Sequence, residues 1–304
     1  MNNNIKIIEE INKLKKEKDA IILAHNYQID EVQDIADYVG DSLGLSIKAS
    51  EVTNKVIVFC GVKFMAETAK ILNPLKTVLI PDKTAGCPMA DMINAKDVIE
   101  LKKQHPGAIV VCYVNSSAEV KANVDICCTS ANAVAVVNSI PKDREIIFIP
   151  DKYLGSYVES QTARKMMLWH GYCPTHAFID AKSVIQMKKV HPEAEILVHP
   201  ECNSEVIKTA DKVLSTGGML KYAHESPCKE FIIGTEIGII YRLQKQNPGK
   251  IFYPAKNNII CPNMKLINLE KIMWSLEDNV YEINLPGDII KKARSSLERM
   301  KKFV

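Results

Sequence analysis

The sequence predicts an α/β protein of three pseudo-symmetric αβα three-layer domains. Each holds a small parallel sheet, and the three are arranged around a pseudo-threefold axis with the functional site at the centre. Three observations lead there. Stretches 25–42 ("HNYQIDEVQDIADYVGDS"), 113–130 ("YVNSSAEVKANVDICCTS") and 199–216 ("HPECNSEVIKTADKVLST") align without a gap, sharing Glu-Val at 31–32, 119–120 and 205–206 and Asp at 37, 125 and 211. The dipeptide Cys-Pro recurs at 87–88, 173–174 and 261–262, at intervals of 86 and 88. Short continuous apolar runs alternate with helical patterns throughout, as strands buried on both faces require. The repeat divides the chain into units 1–86, 87–172 and 173–261, with the tail 262–304 expected to pack on the first unit.

Each unit reads βαβαβαβ. The first strand is "AIILAH" (20–25), "AIVVCY" (108–113) or "EILVH" (195–199). Asp30, Ser117 and Ser204 precede Glu-Val as polar caps opening a helix. A weaker run ("DICC", "KVL") leads to Ser42, Ser130 and Thr216, where the next helix is expected to begin. The strands "KVIVFCG", "EIIFIPD" and "EFIIGTE" follow, each with a helix behind it, and a last strand such as "TVLIPD" or "KIFYPA" delivers the Cys-Pro.

The 304 residues are 47% hydrophobic and 25% charged with a net charge of +3, so an ample core is available and no strong field selects a polyanion. Lysine pairs are scattered and aromatics sparse, which excludes a nucleic-acid reading. No run reaches the roughly 20 apolar residues of a membrane span, and the N-terminus lacks a signal-peptide pattern, so a cytoplasmic protein is expected. Nine cysteines in such a chain point to metal or catalysis before disulfides, and the absence of CxxC disfavours zinc ribbons and thioredoxin-like dithiols.

Parallel sheets bind ligands outside the carboxyl ends of their strands. His25 and Tyr27, Tyr113 and Asn115, and His199 and Glu201 fall there. Ser42, Ser130 and Thr216 sit at helix starts suited to an anion. Packed about a threefold axis, the three Cys-Pro cysteines would meet in one cavity. They could bind zinc, hold an iron–sulfur cluster with one iron lacking a protein ligand, or simply serve as small hydrophobes ending three strands. Cys60, Cys112, Cys127, Cys128, Cys202 and Cys228 lack the symmetry and read as structural, with Cys128 near enough to Ser130 to line the cavity.

The segments "AHNYQ", "GDS", "CPMA", "YVNS", "CTSANA", "HPEC", "STGGM" and "GTEIG", in this order around three Cys-Pro dipeptides, resemble quinolinate synthase over about Ile21 to Met264. The resemblance implies one [4Fe–4S] cluster held by Cys87, Cys173 and Cys261, with one open iron acting as a Lewis acid. It implies condensation of iminosuccinate with dihydroxyacetone phosphate to quinolinate, with release of phosphate and water, in NAD biosynthesis. Substrate-contact positions carried over are His25, Ser42, Tyr113, Val114, Asn115, Ser130, His199, Pro200, Glu201 and Thr216. Tyr27, His199 and Glu201 are residue types suited to its proton transfers, His199 because histidine titrates near neutrality and Tyr27 because a nearby metal lowers a phenol's pKa. An enzyme supplying iminosuccinate, an aspartate oxidase or dehydrogenase, is the implied partner. The third Cys-Pro reads "CPNM", without the second cysteine of a redox switch. Another open-iron hydro-lyase, or a threefold binding protein for anionic metabolites, is compatible with the residues alone.

Overall fold

The computed structural model describes residues 2–303. The first unit comprises α1 (Asn2–Glu17), β1 (Ala20–His25), α2 (Asp30–Ile35), β2 (Tyr38–Gly40), α3 (Ser42–Glu51), β3 (Val56–Cys60), α4 (Lys63–Leu72) and β4 (Thr77–Leu79). The second runs through α5 (Ala95–Gln104), β5 (Ile109–Tyr113), α6 (Ala118–Lys121), β6 (Ile126–Cys128), α7 (Ala133–Asn138), β7 (Ile146–Ile149), α8 (Lys152–Thr162) and β8 (Met167–Leu168). The third holds α9 (Pro174–Ala177), α10 (Ala181–Val190), β9 (Glu195–Val198), α11 (Ser204–Ile207), β10 (Lys212–Val213), α12 (Thr216–Glu225), β11 (Glu230–Gly234), α13 (Ile239–Gln246) and β12 (Ile251–Pro254). Helices α14 (Leu269–Asp278) and α15 (Gly287–Met300) close the chain.

The strands form three four-stranded parallel sheets of identical order, β2-β1-β3-β4, β6-β5-β7-β8 and β10-β9-β11-β12. This is the predicted architecture. Both faces of each sheet are buried. Leu23, Ile57 and Phe59 of the first sheet, and Leu197, Phe231 and Ile233 of the third, join a central core shared by all three units. The alternate residues Ile22, Ala24, Val56 and Val58, and likewise Ile196, Val198 and Ile232, pack into separate local cores. Continuous apolar runs are therefore required, because each side of the pleat meets hydrocarbon. Among the described residues no helix is long and apolar enough to cross a membrane.

The repeated residues acquire reasons. Val32, Val120 and Val206 are fully buried and seat the short helix after each first strand. The repeated aspartates pin the edge strand to its neighbour: Asp37, Asp125 and Asp211 each accept the backbone N–H of Ile22, Val110 and Ile196 at 2.8–2.9 Å. Two predicted caps lie one residue off. Ser117 does cap α6, but Asn203 rather than Ser204 caps α11, and Asp30 is the first helical residue of α2 behind Ile29.

The tail divides between two units: part packs on the first, where it was expected, and part on the second. Helix α14 lies on α1, and residues 280–283 run antiparallel along β4, with Ile80 and Tyr281 exchanging backbone hydrogen bonds. Helix α15 instead packs chiefly on β6 and α6 of the second unit, burying Ala293, Leu297 and Met300. The apolar stripe of α15 fills the face of the second sheet's edge, a match outside the repeat pattern.

Asp211 has no ion-pair partner among the described residues, whereas Asp37 and Asp125 are shared with Lys15 and Lys102. Asp211→Ala strands the Ile196 N–H and is expected to cost about 1–3 kcal/mol. Asp211→Asn keeps an accepting oxygen and should retain most of that. Thermal unfolding of both variants checks the pair.

Candidate active site

The carboxyl ends of the three central strands face one another across a cavity of about 190 Å³. His25 ends β1, Tyr113 ends β5, and His199 follows β9 directly. Two residues further on, Tyr27, Asn115 and Glu201 reach the same space. Ser42, Ser130, Thr216 and all three Cys-Pro cysteines also line it, so twelve of the positions singled out from the sequence (His25, Tyr27, Ser42, Cys87, Tyr113, Asn115, Ser130, Cys173, His199, Glu201, Thr216, Cys261) meet there. Val114, Pro200 and Cys128 do not line it. Val114 and Pro200 stand between inward-facing neighbours and so turn outward. Cys128, fully buried in β6, packs in the central core instead.

A chain of polar contacts runs through all three units. The Tyr27 hydroxyl lies 2.5 Å from Thr235 Oγ1, which lies 2.8 Å from His176 Nε2. His176 Nδ1 is 2.8 Å from Glu201 Oε2, and the Tyr113 hydroxyl donates to Glu201 Oε1. A carboxylate only accepts, so His176 Nδ1 carries the hydrogen between it and Glu201. The contacts link Tyr27 of the first unit to Glu201 of the third.

Burial alone would raise the Glu201 carboxyl. The His176 imidazole, followed by His199 and the Tyr113 phenol, overrides it and holds the group well below the usual carboxylate range. Tyr27 goes the other way: burial, then the Glu201 charge, raises its phenol well above its ordinary value. Tyr113 is raised by the same causes. His199, expected to titrate near neutrality, is pushed down to about 3 by burial, as is His25. Each of these rings accepts a backbone N–H on Nδ1, from Tyr27 to His25 at 3.2 Å and from Glu201 to His199 at 3.3 Å. Their Nε2 atoms therefore hold the hydrogen, leaving two neutral donors.

Helices begin at Ser42 and Thr216, as expected, but not at Ser130. Asp41 and Ser215, not Ser42 and Thr216, cap α3 and α12, accepting from Gly44 N at 2.8 Å and Gly218 N at 3.1 Å. Ser42 and Thr216 are the first helical residues, which frees both hydroxyls from capping. Ser130 sits in a turn ahead of α7. Asn115 Oδ1 is buried without a protein partner among the described residues.

Cys87, Cys173 and Cys261 lie in loops after β4, β8 and β12 rather than at the strand ends. Cys-Pro opens a helical turn in two cases: Cys173 and Cys261 occupy the N-cap positions of α9 and of a 3₁₀ turn, with proline at the first helical place, where no N–H is needed. Burial pushes the Cys87 thiol up to about 12 and raises Cys173 and Cys261 as well. Backbone N–H groups two or three residues on (Met89 and Ala90, His176, Asn263 and Met264) pull the other way. Among the described residues no lysine or arginine lines the cavity, while Asp41, Glu201 and Glu236 do. Three thiols and three carboxylates with no cationic side chain are a donor set that fits a bound metal group, since thiolates there need a cation.

Sequence reasoning missed His176, Thr235, Glu236 and Asp41. His176 stacks on His199 with ring centroids 4.7 Å apart, and its Nδ1 lies 3.2 Å from Cys173 Sγ. Its signal was "CPTH", a histidine three residues beyond the cysteine and so on the same face of a helical turn. Thr235 and Glu236 follow β11, another strand end. Fully buried Glu236 accepts from Gly238 N and Cys261 N and pairs with Lys265 at 3.0 Å. It thereby fixes the third cysteine loop.

The model of the family described as quinolinate synthetase A protein matches residues 9–302. Among curated proteins, the quinolinate synthase of Dehalococcoides mccartyi strain CBDB1 is 54% identical over 298 residues, 98% of each chain. Those of Thermodesulfovibrio yellowstonii and Pyrobaculum aerophilum are 53% and 49% identical, covering 96% and 97% of this chain and 97% and 99% of their own. Similarity of this extent, over a chain whose repeat places the same motifs around one cavity, makes it a member of the quinolinate synthetase A family.

Proposed function

We propose that this chain is an enzyme condensing iminosuccinate with dihydroxyacetone phosphate to quinolinate, releasing phosphate and water, as a cytoplasmic transferase of NAD biosynthesis. The observation that carries the reading is the convergence of three symmetry-related cysteines on a cavity that also holds the Tyr27–Glu201 chain. Cys87, Cys173 and Cys261, one near the start of each later unit or the end of the third (boundaries 1–86, 87–172, 173–261), would hold a [4Fe–4S] cluster. Such a cluster supplies a Lewis-acidic iron for a substrate oxygen or nitrogen. The partner would be an aspartate oxidase or dehydrogenase that delivers iminosuccinate.

The protein's own groups divide the remaining work. His25 and His199 present Nε2–H, and Ser42, Ser130 and Thr216 present hydroxyls, to the carboxylates and phosphate. Tyr113 and Asn115 bound the site from the second unit. Glu201, kept ionised, takes a proton released as the ring closes. Tyr27, kept protonated, supplies one to a departing oxygen. Its phenol thus works as an acid at its raised pKa, not as the lowered one the sequence suggested.

One contact favours a second reading. Donor atoms of Cys173, His176 and Glu201 lie within 4.8 Å of one another, a set able to hold a single ion such as zinc in an anion-binding protein. Metal analysis separates the two: anaerobically prepared protein should contain iron with equimolar sulfide and convert the two substrates to quinolinate, whereas zinc without sulfide favours the second. Cys87→Ala, Cys173→Ala and Cys261→Ala should each lose iron and activity, and Cys60→Ala, fully buried in β3, should keep both.

Tyr27→Phe preserves the ring and removes the proton. Its kcat should fall roughly 10²–10⁴-fold at unchanged iron content. Turnover within a few-fold of wild type would reduce Tyr27 to packing.

The depressed histidines give a pH dependence to the metal-free chain. Unfolded histidine binds a proton near 6.5, while folded His25 and His199 resist until about 3. The unfolded state therefore binds more protons between these values, so their stabilisation is complete above about 6.5 and is lost as pH falls toward 3. His199→Gln should flatten the decline of melting temperature with acidification over that window.

A further inference from the structure

Thr216 accepts a hydrogen bond whose direction is set from outside the cavity. Arg242, on α13, offers donors and no acceptor. Its Nη1 lies 2.6 Å from Asn26 Oδ1 and also donates to the Val39 carbonyl. An amide whose oxygen faces arginine must turn its nitrogen the other way, and Asn26 Nδ2 donates to Thr216 Oγ1 at 2.9 Å. Asn26 is fully buried and Thr216 is 3% exposed, so neither can exchange this partner for bulk water. With its lone pair engaged, the hydroxyl has its own hydrogen to place. No protein acceptor meets it among the described residues, and Thr216 lines the cavity.

We infer that Arg242 and Asn26 are positioning residues that commit the Thr216 hydroxyl to donating into the cavity, toward an anionic oxygen of the substrate. The inference rests on the proposed reaction, whose substrates carry carboxylates and a phosphate. It adds a direction to that binding and names the groups that set it.

The junction is rigid enough to impose a direction. Asp41 Oδ2 lies 3.2 Å from Ser215 Oγ while its other oxygen caps α3, so one carboxylate of the first unit holds both helix starts. A Cβ on Gly217 would stand 2.6 Å from Asp41 Oδ2, so only glycine lets the first turn of α12 approach this closely. The arrangement is also unique in the repeat. The positions equivalent to Asn26 are Val114 and Pro200, neither with a side-chain donor, and Val114 lines a small apolar recess together with Ser42. Of the three equivalent hydroxyls, only Thr216 has its polarity fixed by a side-chain amide at that position.

Asn26→Asp is nearly isosteric and pairs with Arg242, but its second oxygen only accepts. Thr216 must then donate to it and present a lone pair to the cavity. In anaerobic cluster-loaded enzyme, Asn26→Asp and Thr216→Val should each weaken quinolinate binding, and raise KM for one substrate, by roughly 10- to 100-fold, as loss of a hydrogen bond to a charged group requires. Saturated kcat should stay within a few-fold and cluster absorbance should not change. In the Thr216→Val background, Asn26→Asp should add little, because its effect passes through the same hydroxyl. Arg242→Met should resemble Asn26→Asp, and Arg242→Lys, another donor without an acceptor, should restore binding. Wild-type binding by Asn26→Asp overturns the inference, and so does an undiminished effect of Asn26→Asp in the Thr216→Val background, which would mark simple charge repulsion. If Asn26→Asp melts early or loses its cluster, the cycle of Arg242→Met with Thr216→Val takes its place. There, a loss in Arg242→Met that vanishes in the Thr216→Val background supports the inference, and an undiminished or absent loss overturns it. Failure of the wild type itself to make quinolinate refutes the proposed reaction separately from the relay.

Discussion

A single buried carboxylate ties the three units together. Glu201 is 3% exposed and charged, a condition tolerated only when its oxygens are bonded. One oxygen accepts from His176 of its own unit and the other from Tyr113 of the second. Through His176 and Thr235 the bonding extends to Tyr27 of the first. Separating the units strands this charge, and breaking such a buried pair costs about 3–5 kcal/mol. The cavity is thus a condition of assembly as much as a product of it. The same burial that makes Glu201 costly to isolate silences His25 and His199 as acids and keeps Tyr27 protonated, so electrostatics and packing cannot be tuned independently here.

The charge balance has a related consequence. An anion bound in this cavity, whose wall carries no lysine or arginine among the described residues, would draw its positive potential from backbone N–H groups, helix starts and polarised hydroxyls. These are weaker and more directional than an ammonium. They suit a reaction in which charge is lost as phosphate leaves and the ring forms, because a pocket of fixed cations would hold the dianionic product as firmly as the substrates. The arrangement of neutral donors around a metal-fitting set of thiols would leave the largest positive charge to a metal group held there.

Much of the molecule is legible in the sequence because it repeats. The gapless alignment locates the strands, the aspartates at 37, 125 and 211, and the inward positions at strand ends, since backbone geometry in one unit must be copied in the next. The features that sequence does not reveal are those that do not repeat. His176 and Thr235 have no polar counterparts in the other units, where Ala90 and Met264, and Gly61 and Pro150, take their places, and Glu236 is matched by an acid only at Asp151, so the repeat gives them little weight. Two caps shift by one residue because Ile29 and Asn203 stand outside α2 and α11 while Asp30 and Ser204 begin the turn. Val114 and Pro200 share a segment with inward-facing neighbours, yet alternate side chains near a strand end point apart. The depressed histidines depend on burial by two other units, a quantity that local sequence does not contain. Helix α15 reads as an amphipathic tail whose destination is set by an open face on β6 and α6 rather than by its own pattern.

The departures from symmetry are where the chemistry resides. At the position two beyond each strand end the chain places Tyr27, Asn115 and Glu201: a phenol, an amide and a carboxylate on one geometric template. At the position between, it places Asn26, Val114 and Pro200, of which only Asn26 has a side-chain amide, bonded to Thr216. A truly threefold cavity would offer identical groups at each corner and could not tell a phosphate from a carboxylate or an entering proton from a leaving one. Copying the backbone three times fixes the distances among the corners. Varying the side chains at those corners then assigns each a different task, and the fold constrains the geometry without constraining the roles. A substitution at one corner therefore need not be matched at the others, because the repeat shares structure while the site shares only space.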